Sequence, residues 1–141
     1  MLKTPYILIA DDDPEDQEMI IDLLQERLPN AGIKTIPNGK DVMEWLSDCA
    51  NNELPALMLL DYKMPGMTGA DVLRATERNP SYKLIPKVIW STSSNPEYIG
   101  ICKRHGAIQY FVKPNDLAGL GLIADALKDL FIRTHPRNGV S

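Results

Sequence analysis

The chain is poor in the residues that build cross-links and soft-metal cages. It has only two cysteines, Cys49 and Cys102, and two histidines, His105 and His135, in 141 residues. The cysteines lie far apart without metal-site spacing, and the histidines form no cluster. Both cysteines read as reduced packing residues, so neither a disulfide framework nor a Cys/His metal site is expected. No apolar run is long enough for a transmembrane helix. The opening MLKTPYILIADDD has one lysine and a short apolar stretch that ends in acid. It lacks a small-residue cleavage site and does not read as a signal peptide, which makes the cytoplasm the expected compartment. No segment forms a basic stripe, so neither nucleic acid nor a membrane is an expected partner. Internal repeats, low-complexity stretches and linkers are also lacking.

What is present is an ordinary globular composition with one unusual spot. Hydrophobic residues make up 44% and charged residues 24% of the chain, values typical of a soluble domain. The net charge of −4 is unevenly spread. Residues 11 to 16 hold five acids and no base; without them, 14 acids face 15 bases. The acidity is therefore local. Asp11, Asp12, Asp13, Glu15 and Asp16 repel one another. A bound cation, a helix N-terminus or plain solvation has to make that crowding tolerable.

Hydrophobic patterning gives an alternating order of elements. Short, continuous apolar runs at 6–10 and 57–60 read as strands buried on both faces, and 33–36, 88–90 and 109–112 read as further short strands. Between them apolar residues recur at helical spacing. Met19, Ile20, Leu23, Leu24 and Leu28 mark the first helix, and Val42, Met43, Trp45 and Leu46 the second. A third runs through Val72, Leu73 and Thr76 and stops at Asn79-Pro80. A fourth spans 96–105, ended by Gly106. The last follows Pro114 and runs through Leu117, Leu120, Ile123, Leu127, Leu130 and Phe131. Five strands alternating with five helices predict an α/β fold with a mostly parallel sheet. One domain over 1–134 is expected, with a frayed, flexible tail at 135–141. Little is then left for a second, output module.

Ligands in open α/β sheets bind beyond the carboxyl ends of the strands, so the residues just past each strand matter most. Asp11 and Asp12 follow the first strand, and Asp61 the third. Ser91 and Thr92 follow the fourth, and Lys113 the fifth. If those strands are neighbours, carboxylates, a hydroxyl and an ammonium meet on one rim. That set suits phosphoryl transfer to an aspartate. A carboxylate can be a covalent nucleophile, and a hard cation must screen it from the incoming anion. Mg²⁺ takes oxygen ligands such as Asp11 and Asp12. Lys113 can neutralise a phosphoryl oxygen, and the Ser91 hydroxyl can donate to another. The other acids have structural explanations. Asp13 before Pro14 is a helix N-cap, and Glu15 and Asp16 lie in the first turn, where acids complement the helix dipole.

The acid pair in ILIADD, the acceptor in LLDYKMPGMTG, the hydroxyl in VIWSTS and the lysine in YFVKP occur in one order over residues 6–131. In this the sequence resembles a two-component response regulator receiver domain, of the stand-alone kind exemplified by the chemotaxis regulators. The resemblance implies a doubly wound, flavodoxin-like five-stranded parallel sheet of order 2-1-3-4-5. It implies that Asp61 accepts a phosphoryl group from a histidine kinase or a histidine phosphotransfer protein. Asp11, Asp12 and Asp61 would hold Mg²⁺, together with the backbone carbonyl of Lys63. Ser91 and Lys113 would read the phosphorylated state, and Tyr110 would be the aromatic that repacks with Ser91. The family's spacing to the lysine selects Ser91 over Thr92, which then fills a usually small position. YFVKP further implies a cis peptide between Lys113 and Pro114. Signalling would proceed through a changed surface around Tyr98, Ile101 and Tyr110 that binds a downstream protein target, rather than through enzymatic turnover.

Two other readings compete. A phosphatase of the haloacid dehalogenase kind needs D-x-D-x-T/V after its first strand, and the run from Asp11 to Glu15 lacks the hydroxyl or valine. A pseudo-receiver, an interaction module without phosphorylation, would not require the full set Asp11, Asp12, Asp61, Ser91 and Lys113. A calcium loop is excluded because Asp16 stands where such loops need glycine.

Overall fold

The five segments expected as strands form one parallel sheet. The computed structural model describes residues 4–134. Its strands are β1 (Tyr6–Ala10), β2 (Gly32–Ile36), β3 (Leu57–Asp61), β4 (Lys87–Ser91) and β5 (Gln109–Val112). They lie in the order β2-β1-β3-β4-β5, every neighbouring pair parallel. The helices are α1 (Pro14–Arg27), α2 (Gly39–Asp48), α3 (Gly69–Glu77), α4 (Pro80–Lys83), α5 (Pro96–Arg104) and α6 (Leu117–Thr134), with a 3₁₀ turn at Asn51–Glu53.

The apolar runs are continuous because helices cover both faces of the sheet. Side chains alternate between those faces. Ile7, Ile9, Leu57, Leu59, Val88 and Trp90 point toward one layer, where Ile20 and Leu24 of α1 and Ile123 and Leu127 of α6 pack on them. Leu8, Ala10, Met58, Leu60 and Ile89 point the other way, toward Val42 and Leu46 of α2, Val72 and Leu73 of α3 and Cys102 of α5. Every residue of β3 and β4 is buried. Each apolar side chain among them contributes about 1.5–3 kcal/mol relative to an exposed one, so the two strands that carry Asp61 and Ser91 are firmly held. The edge strands β2 and β5 are only partly covered.

The helix count corrects the sequence reading, which expected five. The sixth is α4, a single turn at the point where Asn79-Pro80 was read purely as a stop. Asn79 is in fact an N-cap: its side chain accepts from the amides of Ser81 and Tyr82, with Pro80 at the first helical position. Buried Lys87 closes the far end by donating to the carbonyls of Tyr82 (2.6 Å) and Ile85 (2.9 Å). The last helix follows Pro114 as expected and begins at Leu117. Asp116 accepts from the Gly119 amide at 2.7 Å and serves as its cap. The tail expected at 135–141 lies outside the described residues. Among the described residues, no helix is long and apolar enough to cross a membrane.

Candidate functional site

The strand order places β1 beside β3 at the centre of the sheet, where the winding reverses direction. This is the position at which an open α/β sheet leaves a crevice. Asp11 follows β1 directly, and its amide still bonds the Ile36 carbonyl at 3.1 Å, so the ladder holds it in place. The Gln17 side chain donates to the Asp11 carbonyl at 2.6 Å. Asp13 caps α1 by accepting from the amides of Glu15 (2.9 Å) and Asp16 (3.4 Å), as expected from its place before Pro14. Asp61 is the last residue of β3. The loop after it returns through a left-handed Gly66 (φ 79°) to α3. A capping box starts α3: Thr68 and Asp71 satisfy each other's amides at 3.1 and 2.9 Å. Gly69 has no room for a side chain, since a Cβ there would lie 2.7 Å from the Asp61 carbonyl oxygen.

Three carboxylates converge. One oxygen each from Asp11, Asp12 and Asp61 lies within 4.8 Å of the others. Asp11 and Asp61 are buried while Asp12 is exposed. The Asp61 carboxyl is pushed up to about 7, first by burial and then by the Asp11 carboxylate, against the opposing pull of Lys113. The Lys63 amide donates to Asp61 at 3.3 Å, which sets the start of the 62–68 loop against the acceptor.

Lys113 stands among these acids. Its Nζ lies 2.8 Å from Asp16, 2.9 Å from Asp11 and 3.4 Å from Asp61, and 4.7 Å from the centre of the Trp90 ring. Burial disfavours the ammonium, but the hydrogen bonds it donates to Asp16 and Asp11 and the charges of Asp11 and Asp61 outweigh it, so the pKa is raised and the cation persists. The Lys113 amide also bonds the Ser91 carbonyl at 2.7 Å, tying the ends of β4 and β5 together. Ser91 is fully buried and its hydroxyl accepts from the Ser93 amide at 3.1 Å. Thr92 is exposed. Tyr110 is half-buried, packs against the same core as Ile101 and donates its hydroxyl to the Ser93 carbonyl at 2.8 Å. Tyr62, next to Asp61 in the chain, stacks on Tyr98 of α5 with ring centres 4.4 Å apart.

The structure thus brings together Asp11, Asp12, Asp61 and Lys113, and sets Ser91 and the Lys63 amide at the same rim. One expectation is corrected. No peptide bond among the described residues is cis, so Lys113–Pro114 is trans. Trans is the intrinsically favoured isomer by about 0.5–1 kcal/mol, and Lys113 reaches Asp11, Asp16 and Asp61 from it.

Asp16 is the residue whose part the sequence reading missed, having assigned it to the helix dipole alone. The signal was available. Asp16, Ile20 and Leu24 follow one another at intervals of four, and Ile20 and Leu24 are the buried residues of α1. Residues so spaced share a helix face, which points Asp16 to the sheet rim rather than to solvent.

The donor set is all oxygen, anionic and only partly neutralised by Lys113, which fits a hard divalent cation. It can also place one carboxylate, Asp61, as a nucleophile beneath an ammonium.

Comparison with known proteins agrees with this architecture. Residues 7–124 match the family model described as "Response regulator receiver domain". The chain is 33% identical over 130 residues to the two-component response regulator ARR8 of Arabidopsis thaliana; the match covers 82% of this chain and 57% of that protein. The chain therefore spans somewhat more than half the length of that relative. Among solved structures, the phosphorylated cyanobacterial phytochrome response regulator RcpA superposes with a TM-score of 0.84 at 25% identity, covering 94% of this chain and 96% of RcpA. The Mn²⁺-bound form of the response regulator Rcp1 gives a TM-score of 0.75 at 26% identity, over 89% and 92% of the two chains.

Proposed function

The chain belongs to the response regulator receiver domain family, and from that membership we propose that it takes a phosphoryl group on Asp61 and signals by changing a partner-binding surface. The observation that carries this reading is the pairing of a buried Asp61 carboxylate with Asp11 and Asp12 on one side and the Lys113 ammonium, 3.4 Å away, on the other. The donor is a phosphohistidine of a histidine kinase or a histidine phosphotransfer protein. An Asp61 oxygen forms a bond to phosphorus as the bond from phosphorus to the histidine nitrogen breaks, and that nitrogen leaves with the electron pair. Asp11, Asp12, Asp61 and the Lys63 carbonyl would hold Mg²⁺, which when bound screens the two anions from each other. Lys113 neutralises a phosphoryl oxygen as a point charge. The Ser91 hydroxyl donates to another and gives up its present bond from the Ser93 amide.

The output follows from those movements. As Ser91 moves, Tyr110 can leave the Ser93 carbonyl and turn inward. The face around Tyr98, Ile101 and Tyr110 then repacks for a downstream protein. A local charge biases a two-state element. The protein acts as a phosphoacceptor in signalling rather than as a turnover enzyme. A cytoplasmic location goes with this reading, supported by two cysteines that are free rather than paired.

Treatment of the purified protein with acetyl phosphate should add one phosphoryl group by mass spectrometry only when Mg²⁺ is present, and Asp61→Asn should abolish it. An undiminished adduct in that variant would overturn the assignment. The absence of any adduct in the wild type would favour the pseudo-receiver.

A further inference from the structure

We propose that Asp16 is a positioning residue for Lys113, holding the ammonium off Asp61 in the resting protein and thereby setting how readily the phosphorylated state forms. This rests on the phosphoacceptor reading of Asp61 and extends it to a residue outside the acceptor, metal and switch groups.

The geometry is unequal. Lys113 Nζ is nearer to Asp16 (2.8 Å) and Asp11 (2.9 Å) than to Asp61 (3.4 Å). Asp11 is immobilised by the β1–β2 ladder and by its bond from the Asp13 amide at 2.8 Å. Asp16 differs. Its side chain is 25% exposed and it projects from the first turn of α1, so it competes for the ammonium without being locked to the strand. The Lys113 side chain is 9% exposed and has the Trp90 ring 4.7 Å from its Nζ, which leaves the ammonium few other places to go. When a phosphoryl group arrives on Asp61, Lys113 must leave Asp16 to reach the new oxygens. The lost pair is a cost of the phosphorylated state, and the Asp16 carboxylate is left facing an added anion. Both effects favour the resting state.

The first-turn position alone would give Asp16 only a helix-stabilising part. The two explanations separate experimentally. Beryllofluoride, which mimics an aspartyl phosphate, can be titrated into wild type, Asp16→Asn and Asp16→Glu with Mg²⁺ present, using amide spectra to follow both binding and folding. Asp16→Asn should bind about fivefold tighter, the scale of one partly exposed ion pair, and Asp16→Glu should return toward wild type. A crystal structure of metal-free Asp16→Asn should place Lys113 Nζ closer to Asp61 than the present 3.4 Å. Unchanged or weaker affinity in Asp16→Asn overturns the proposal. Tighter binding with Lys113 unmoved overturns the positioning role too, because Asp16 would then act by its charge alone. If the wild type itself binds no beryllofluoride, the phosphoacceptor reading fails, and this inference fails with it.

Discussion

Asp61 is held where ionisation is disfavoured, and that has a measurable sign. Its folded pKa, about 7, lies above the unfolded carboxylate value of ~3.9. Between these values the native state keeps a proton that the unfolded chain has released, so stability falls as pH rises through the window. Below pH ~4 the penalty is absent, and above 7 it is complete. In the metal-free protein, Asp61→Asn should therefore be more stable than wild type at pH 8, with the gap closing toward pH 5; urea midpoints in EDTA measure it. A gap independent of pH would refute the assignment. Asp12 is exposed, and its removal relieves the same crowding. Asp12→Ala should lose Mg²⁺ affinity by calorimetric titration while leaving the metal-free protein at least as stable. At this scale the sequence was informative about identity and poor about pairing. Asp61, Lys113 and Asp13 stand out through strand ends and cap chemistry. That Lys113 sits closer to Asp16 than to Asp61 depends on how α1 is rotated against the sheet.

The start of α3 is the element whose placement matters most to the site. Gly69 passes so close to the end of β3 that an added Cβ would lie 2.7 Å from the Asp61 carbonyl and 3.0 Å from Ile89 Cδ1. Neither the backbone nor a fully buried isoleucine yields easily. Gly69→Ala should cost about 1–3 kcal/mol and shift the Asp61 amide resonance, whereas Thr68→Ala, which removes only the cap, should cost about 1 kcal/mol. Equal losses in the two, read from urea unfolding, would show that the close approach carries no strain. The central strands were legible because their apolar residues run together between breakers, the edge strands because short β-rich segments stand between helical ones, and the strand order came with the family resemblance. The α4 turn was not, because Asn79-Pro80 ends one helix and begins another with the same two residues. The Asn79 side chain caps the new turn, and Lys87, a few residues on, closes it by donating to the Tyr82 and Ile85 carbonyls.

On the scale of the whole molecule, the two buried layers hold the central strands rigid while the rim stays electrostatically unbalanced. A cation that binds the folded rim and not the unfolded chain stabilises the protein by mass action, about 2.7 kcal/mol at a hundredfold excess over Kd. The melting temperature should rise with added MgCl₂ in the wild type and stay flat in Asp12→Ala. The stack of Tyr62 on Tyr98 adds something to this picture. Tyr62 is covalently next to Asp61, and Tyr98 rides on α5, so the acceptor loop and that helix are joined by two flat faces in contact. Such a joint resists compression but slides sideways at little cost. If Asp61 takes a phosphoryl group as proposed, a message leaving it would have two roads to the same helix, one through the Ser91 hydroxyl and one through the stacked rings of Tyr62 and Tyr98, and a protein deprived of Tyr110 would keep the second.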